Sequence, residues 1–275
     1  MTEYTVFYFS ATGNTEKCAK EIMAHLENAG KETSLFRIEN GKEQPPECDK
    51  IIIGYPVHGF GAPENVLRFA KSLPDGRSTA YIFKTSGEPL RINDNSSSAL
   101  IKILEKKGYD VRGEYHYIMP YNMIFRHTDD MATKMLLTAK ERIKKDVKDV
   151  IEGKKHKKKI LLRAKIAYGV SVIEHPGVRF NGRLFRVDMK KCSQCGLCVK
   201  RCPTNNISFK DKKFRFGGDC ILCSRCAFFC PKDAVRIGLM DFMRVNGKYD
   251  FNADPEKAEI GKYCHKAYVR YFSEE

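Results

Sequence analysis

The sequence has no tryptophan and no apolar run long enough to cross a bilayer. Its longest apolar stretch, residues 51–57, has the length of a β-strand. The residues after Met1 lack the basic region and the small-residue cleavage site that mark a secreted protein. These absences exclude a membrane-spanning helix and predict a cytoplasmic protein.

Motifs that would point to other functions are also missing. The chain has no Gly-x4-Gly-Lys-Ser/Thr motif of the ATP-binding P-loop, no helix-turn-helix and no RNA-binding motif. No nucleophile with its base, and no acid/base pair, stands out. We therefore expect the chemistry to come from bound cofactors.

Cysteine is abundant and unevenly distributed. Of the 11 cysteines, Cys18, Cys48 and Cys264 are scattered, as expected of residues that only pack. The other eight form two copies of Cys-x2-Cys-x2-Cys-x3-Cys-Pro, one beginning at Cys192 and the other at Cys220. A disulfide framework does not fit, because such frameworks are typical of small secreted chains.

Each copy supplies three thiolates at short spacing, and in this motif the cysteine before proline ligates the other cluster. Two [4Fe-4S] clusters are therefore predicted. The first set of ligands is Cys192, Cys195, Cys198 and Cys230. The second set is Cys220, Cys223, Cys226 and Cys202. Zinc sites with four cysteines are the alternative, which two complete copies of the motif disfavour. Residues 187–238 resemble bacterial two-cluster ferredoxins.

The first 150 residues alternate short apolar strands with amphipathic helices, which is typical of a parallel sheet covered on both faces. Strands are predicted near residues 5–9, 34–38, 51–54, 79–85 and 115–119. Helices are predicted near residues 18–26, 64–72, 97–107 and 129–151. Five such strands fit the flavodoxin-like doubly wound order. A further helix over 160–173, broken by His175-Pro176-Gly177, would connect this α/β domain to a small α+β ferredoxin-like domain.

A polar turn follows the first predicted strand, where backbone amides and hydroxyls converge on a helix N-terminus and can bind an anion. The turn has no lysine, which disfavours the P-loop, and no Gly-x-Gly-x-x-Gly. It resembles the phosphate loop of flavodoxins, and this resemblance implies FMN rather than FAD. A turn that merely caps a helix is the alternative. The predicted phosphate-binding residues are Ser10, Thr12, Gly13, Asn14 and Thr15.

Two further loops follow the third and fourth predicted strands. Ligands of open α/β sheets bind at the carboxyl ends of the strands, so these loops should meet the polar turn around one flavin. Their predicted FMN-binding residues are Pro56, Val57, His58, Gly59, Phe60, Gly61, Thr85, Ser86 and Gly87. Residues 119–122 are secondary candidates for the same pocket. Because the chain has no tryptophan, the sequence does not identify an aromatic ring that stacks on the flavin.

Over nearly its whole length the chain resembles the flavodoxin-ferredoxin fusions of the EFR1 family. The resemblance implies that single electrons pass between two [4Fe-4S] clusters and FMN. The predicted division is a flavodoxin-like FMN domain at 1–152, a basic connector at 153–180, a two-cluster ferredoxin-like domain at 181–240 and a C-terminal extension at 241–275. A flavin-dependent reductase fed by the clusters is the alternative.

Positive charge is concentrated in the second half of the chain. The net charge is +15, and residues 151–275 carry 27 basic and 13 acidic side chains, against 22 and 21 in residues 1–150. The lysines of residues 153–159 are interpreted as a solvated linker or as a docking site for an acidic ferredoxin or flavodoxin. A redox-sensing nucleic-acid binder is the alternative that this charge suggests, and without a binding motif we predict no nucleic-acid partner.

Overall fold

The computed structural model describes residues 2–39, 49–156 and 159–273. Cys48, Lys157 and Lys158 are outside these ranges. No helix in the described part of the chain has the length and apolarity needed to cross a membrane.

The first half of the chain forms a five-stranded parallel sheet in the order β2-β1-β3-β4-β5, which confirms the predicted flavodoxin-like fold. The strands are β1 Tyr4–Tyr8, β2 Thr33–Arg37, β3 Lys50–Pro56, β4 Thr79–Ser86 and β5 Asp110–Ile118. The helices are α1 Asn14–Asn28, α2 Glu64–Ser72, α3 Ser98–Lys106 and α4 Asp129–Ile151. The strand β5 begins earlier than its apolar residues alone predicted.

Both faces of the sheet are buried, as its continuous apolar strands predicted. On one face, side chains such as Phe7 and Ile53 pack against α2 and α3. On the other face, side chains such as Val6 and Ile52 pack against α1 and α4. Alternate residues of one strand reach opposite faces, so β1 and β3 contribute to both cores.

The connecting helix α5 runs from Leu162 to Arg183, so the prediction that it ends at His175-Pro176-Gly177 is wrong. Inside a helix a proline removes one backbone donor and its ring clashes with the preceding turn, a cost of about 3 kcal/mol that tertiary contacts can offset. Near the end of α5, Asn181 Nδ2 donates to Ile237 O at 3.1 Å, and Asn181 Oδ1 accepts from Leu239 N at 2.7 Å. These contacts hold the last turn of α5 against the cysteine-rich part.

The cysteine-rich part contains two short antiparallel pairs. The strands are β6 Arg186–Val187, β7 Ile207–Lys210, β8 Lys213–Phe216 and β9 Val235–Arg236. The pairs are β6 with β9 and β7 with β8. One-turn helices, α6 Leu197–Lys200 and α7 Arg225–Phe228, follow the second cysteine of each repeat. The two repeats therefore form similar substructures.

The last part of the chain returns to the parallel-sheet domain. It contains two 3-10 helices, Gly238–Met243 and Pro255–Lys257, and the helix α8 His265–Ser273. The Tyr271 hydroxyl accepts a hydrogen bond from Ile118 N at 3.1 Å, and its carbonyl accepts one from Arg142 Nη2 at 2.8 Å. These bonds attach α8 to the end of β5 and to α4.

Candidate functional site

The polar turn after β1 forms an open cradle at the N-terminus of α1. Gly13 caps the helix at φ +107°, and no side chain caps it. The Gly13 N–H donates to Ser10 Oγ at 3.1 Å, and a Cβ at Gly13 would meet no atom within 4 Å. The free N–H groups of this helix end and the open space beside them suit a phosphate group.

Hydrogen bonds join this turn to the other loops at the carboxyl edge of the sheet. The Thr15 and Thr85 hydroxyls are 2.8 Å apart, and Asn14 Nδ2 donates to Pro120 O at 2.8 Å. Val57 N donates to Thr85 O at 2.9 Å. The structure thus brings the three predicted FMN loops together.

The loop after β3 makes a tight turn. His58 N donates to Gly61 O at 3.0 Å and Gly61 N to His58 O at 2.9 Å, while Gly59 and Phe60 both have positive φ. Burial lowers the pKa of His58 to about 4, so its ring is neutral at pH 7. The ring contacts Phe9, at 6.1 Å between centroids, and faces the backbone of Ile221 in the second cysteine repeat.

The loop after β4 lies under an aromatic cluster, which we define as Tyr121, Phe125, His127, Tyr263 and Tyr268. A Cβ at Gly87 would lie 2.6 Å from the Tyr121 ring, so this position requires glycine. Tyr121 stacks on His127 at 5.5 Å between centroids, and the Tyr268 hydroxyl donates to Gly87 O. The two tyrosines from the C-terminal part were missed at the sequence level, because no local signal marks a contact between segments so far apart in the chain.

Buried polar groups also hold the loop after β4 in place. Burial raises the pKa of Glu88 to about 7, although Leu90 N donates to its carboxylate. Lys84, only 1% exposed, pairs with Glu114 and donates to Asn93 O at 2.8 Å. These contacts fix the chain between β4 and α3.

The first predicted ligand set lies around one pocket. The cysteines that line it include the three local ones of the first repeat and the remote one before Pro231: Cys192, Cys195, Cys198 and Cys230. Cys226 lies at the same pocket. Burial raises the pKa of the Cys198 thiol to about 11, and binding iron would release that proton.

The cysteines of the second predicted ligand set also lie close together. The thiols of Cys202, Cys220 and Cys223 are close enough to influence one another and the thiol of Cys226 electrostatically. Burial raises the pKa of Cys220 to about 12 and also raises those of Cys223 and Cys226. Sulfur donors in such a buried site suit an iron-sulfur group.

The two repeats share the same backbone details. The cysteine sulfurs that accept a backbone N–H occupy matching positions of the two motifs: Cys192 with Cys220, and Cys202 with Cys230. Residues in the left-handed region match in the same way: Gln194 with Leu222, Gly196 with Ser224, and Asn205 with Asp233. The sequence difference between Gly196 and Ser224 therefore leaves the turn unchanged.

No three His, Cys, Asp or Glu side chains of the described residues converge tightly enough to hold a single metal ion. The cysteines of a cubane bind four different irons, so they stand farther apart than the ligands of one ion. Several cysteine sulfurs around one pocket suit such a cluster.

The two sets differ in their surroundings. Cys195 of the first set is exposed, whereas Cys223 of the second is buried. Cys223 and its neighbour Ile221 pack into the core of the parallel-sheet domain, beside Phe9 and Ala11. We call the first set the outer set and the second the inner set. The inner set adjoins the predicted phosphate loop.

Comparison with known families agrees with both parts of the chain. The flavodoxin domain family matches residues 5–88, and the 4Fe-4S binding domain family matches residues 185–208, which include the first repeat. No curated protein matches the chain significantly.

Among solved structures, oxidised flavodoxin 1 from Bacillus cereus is 18% identical over 55% of this chain and 98% of its own, with a TM-score of 0.42. Two-electron reduced flavodoxin from Megasphaera elsdenii is 24% identical over 42% of this chain and 85% of its own, with a TM-score of 0.34. A flavoprotein from Lactobacillus acidophilus in complex with FMN is 16% identical over 42% and 93%, with a TM-score of 0.32.

The chain therefore combines a flavodoxin-like domain with a 4Fe-4S binding domain. The first indicates FMN and the second a [4Fe-4S] cluster. Together they define an electron-transfer protein of the flavin and iron-sulfur type.

Proposed function

We propose that this chain, a member of the EFR1-type flavodoxin-ferredoxin fusions, passes single electrons between two [4Fe-4S] clusters and FMN. The functional units are those predicted: an FMN domain at 1–152, a connector at 153–180, a cluster domain at 181–240 and an extension at 241–275. The clusters supply one-electron steps, and FMN exchanges one or two electrons.

One observation supports this proposal above the others: Cys230, remote in sequence, lines the same pocket as Cys192, Cys195 and Cys198. Zinc-type pairing within each repeat would not require this crossing. The same backbone geometry in the second repeat supports a second, equivalent cluster.

The residues of the chain suggest an order for the two sites. The outer set has an exposed cysteine, so a partner can approach it. The inner set packs against the flavodoxin-like core, beside the turn proposed to bind the FMN phosphate. Electrons would thus enter or leave at the outer cluster and reach FMN through the inner one.

For the partner, we propose an acidic one-electron carrier, such as a ferredoxin or flavodoxin, that docks at the outer set. Exposed lysines adjoin this set in the chain or line its pocket, and none forms an ion pair with another described residue: Lys190, Lys191, Lys200 and Lys232. Positive charge there attracts and orients an acidic protein.

The lysine run at 153–159 has different neighbours. His156 N donates to Arg112 O at 2.8 Å, near the start of β5, while the predicted FMN loops follow the ends of the strands. Lys154 pairs with Asp149 and Glu152. A solvated linker is therefore the better interpretation of the described residues of this run.

Anaerobic purification with flavin identification and iron and sulfide analysis tests the proposal. We expect one FMN with about eight irons and eight sulfides per chain. Zinc, or fewer than four irons, would contradict it. Turnover of a small substrate, measured with the same preparation, would instead identify a flavin-dependent reductase.

A further inference from the structure

A buried arginine lies between the inner set of cysteines and the turn proposed to bind the FMN phosphate. Arg225 begins α7, between the inner-set ligands Cys223 and Cys226, and its side chain is only 4% exposed. Burial of a charge is costly unless hydrogen bonds and a counter-ion offset it. The contacts of the Arg225 side chain indicate the role of this charge.

The Arg225 guanidinium donates to two consecutive carbonyls of the polar turn after β1. Nε donates to Ala11 O at 2.8 Å, and Nη2 donates to Ser10 O at 2.6 Å. In a trans peptide the N–H points away from the C=O. The amides of Ala11 and Thr12 therefore point away from Arg225, in orientations that these bonds fix.

The same guanidinium also holds the inner set together. Nη1 donates at 3.0 Å to the carbonyl of Arg201, the residue before Cys202. Nη1 also forms an ion pair with Glu39 Oε1 at 2.7 Å, and the group lies 5.6 Å from the Phe9 ring centroid. Arg225 lies in the segment that supplies three of the inner cysteines. Its side chain contacts both the turn and the segment that supplies the fourth, Cys202.

The first repeat has no arginine at the position that matches Arg225. Leu197 occupies the matching position of the first repeat and begins α6, as Arg225 begins α7. Because the two repeats share their backbone geometry, this substitution is a chemical difference between two otherwise similar sites. It places a buried positive charge in the second repeat where the first repeat has an apolar side chain.

We propose that Arg225 is a positioning residue that couples the two cofactor sites, an inference that rests on the proposed function. From the cluster domain it orients the phosphate loop of the FMN domain. Its positive charge also stabilises the additional negative charge of the reduced inner cluster.

Three variants of the full chain test this inference. Arg225→Gln removes the charge and the fork of donors, whereas Arg225→Lys keeps the charge but cannot hold both carbonyls in the same way. Arg215→Gln, at an exposed arginine of β8, is the control for net charge. The measurements are the FMN dissociation constant and the reduction potential of each cluster, followed by electron paramagnetic resonance.

We expect Arg225→Gln to weaken FMN binding about tenfold or more, because two hydrogen bonds to the loop are lost. It should also lower the potential of the inner cluster and leave that of the outer one unchanged. Arg225→Lys should weaken FMN binding with little change in potential, so it decides the issue if Arg225→Gln fails to assemble its inner cluster. Arg215→Gln should change neither quantity.

Unchanged FMN affinity in both Arg225 variants would overturn the inference, as would equal shifts of both cluster potentials. These failures differ from a failure of the proposed function. If the proposed function failed, the wild-type chain itself would lack FMN or one of the clusters.

Discussion

The flavodoxin-like domain and the cysteine-rich part owe their structures to different forces. The sheet has large apolar cores on both faces, with 19 and 17 buried residues among those described, two of the 19 contributed by the cysteine-rich part. The core of the cysteine-rich part has four: Phe185, Ala227, Val235 and Ile237. Apolar burial can stabilise the first, whereas under the proposed function the second would depend on bound clusters.

This difference also separates two kinds of sequence signal. A core of many side chains tolerates change, so its signal is spread over a repeating pattern. A cluster site depends on a few ligands, so its signal is a short motif. We therefore expect loss of a few ligands to affect the cysteine-rich part more than single substitutions affect the flavodoxin-like domain.

Removal of the clusters should have the largest effect. After anaerobic iron chelation, we expect peptides between Arg186 and Ile237 to lose protection in hydrogen exchange measured by mass spectrometry. Peptides of β1 and β3 should remain protected, because their burial is independent of iron. Persistent protection of the cysteine-rich part would mean that it folds without its clusters.

Crossed ligation should appear when the two remote cysteines are compared. Cys202→Ala should remove the inner cluster and Cys230→Ala the outer one, and each variant should keep about four of eight irons. Iron analysis and electron paramagnetic resonance measure this. If Cys202→Ala instead lost the cluster of its own repeat, the ligands would not cross.

Within the flavodoxin-like domain, Lys84→Met should lower the free energy of unfolding by about 3 kcal/mol. The substitution leaves Glu114 without its ion pair and the Asn93 carbonyl without a donor. Urea unfolding followed by circular dichroism measures it. Lys102→Met, at an exposed lysine of α3, is the matched control and should change stability little.

The ionisation of Glu88 should have a smaller effect that depends on pH. Its pKa rises from 4.5 to about 7 in the folded chain, so the folded state binds more protons between these values. Without FMN, the contribution of Glu88 to the free energy of unfolding should therefore be complete below pH 4.5 and be lost as pH rises through 7, by at most about 3 kcal/mol. Glu88→Gln should abolish this slope, and an equal slope in both proteins would exclude Glu88 as its source.

The sheet could be predicted, and the three local cysteines of each set proposed, because their signals are local. The run of apolar residues in β3 and the spacing of Cys192, Cys195 and Cys198 are visible without the fold. The end of α5 was predicted wrongly, since Asn181 gains its bonds from a segment beyond both cysteine repeats. The contacts of Arg225 have no local signal either, because its partners in the turn after β1 lie near the opposite end of the chain.

In the proposed route, electrons reach FMN through the inner cluster of the same chain. Rapid mixing of the oxidised protein with a reduced acidic ferredoxin tests it most directly, with wild type compared to Cys202→Ala. In wild type, cluster absorbance should fall first, and FMN should then be reduced at a rate independent of ferredoxin concentration. In Cys202→Ala, the outer cluster should still be reduced quickly while FMN reduction slows strongly. FMN reduction as fast in the variant as in wild type would exclude this route.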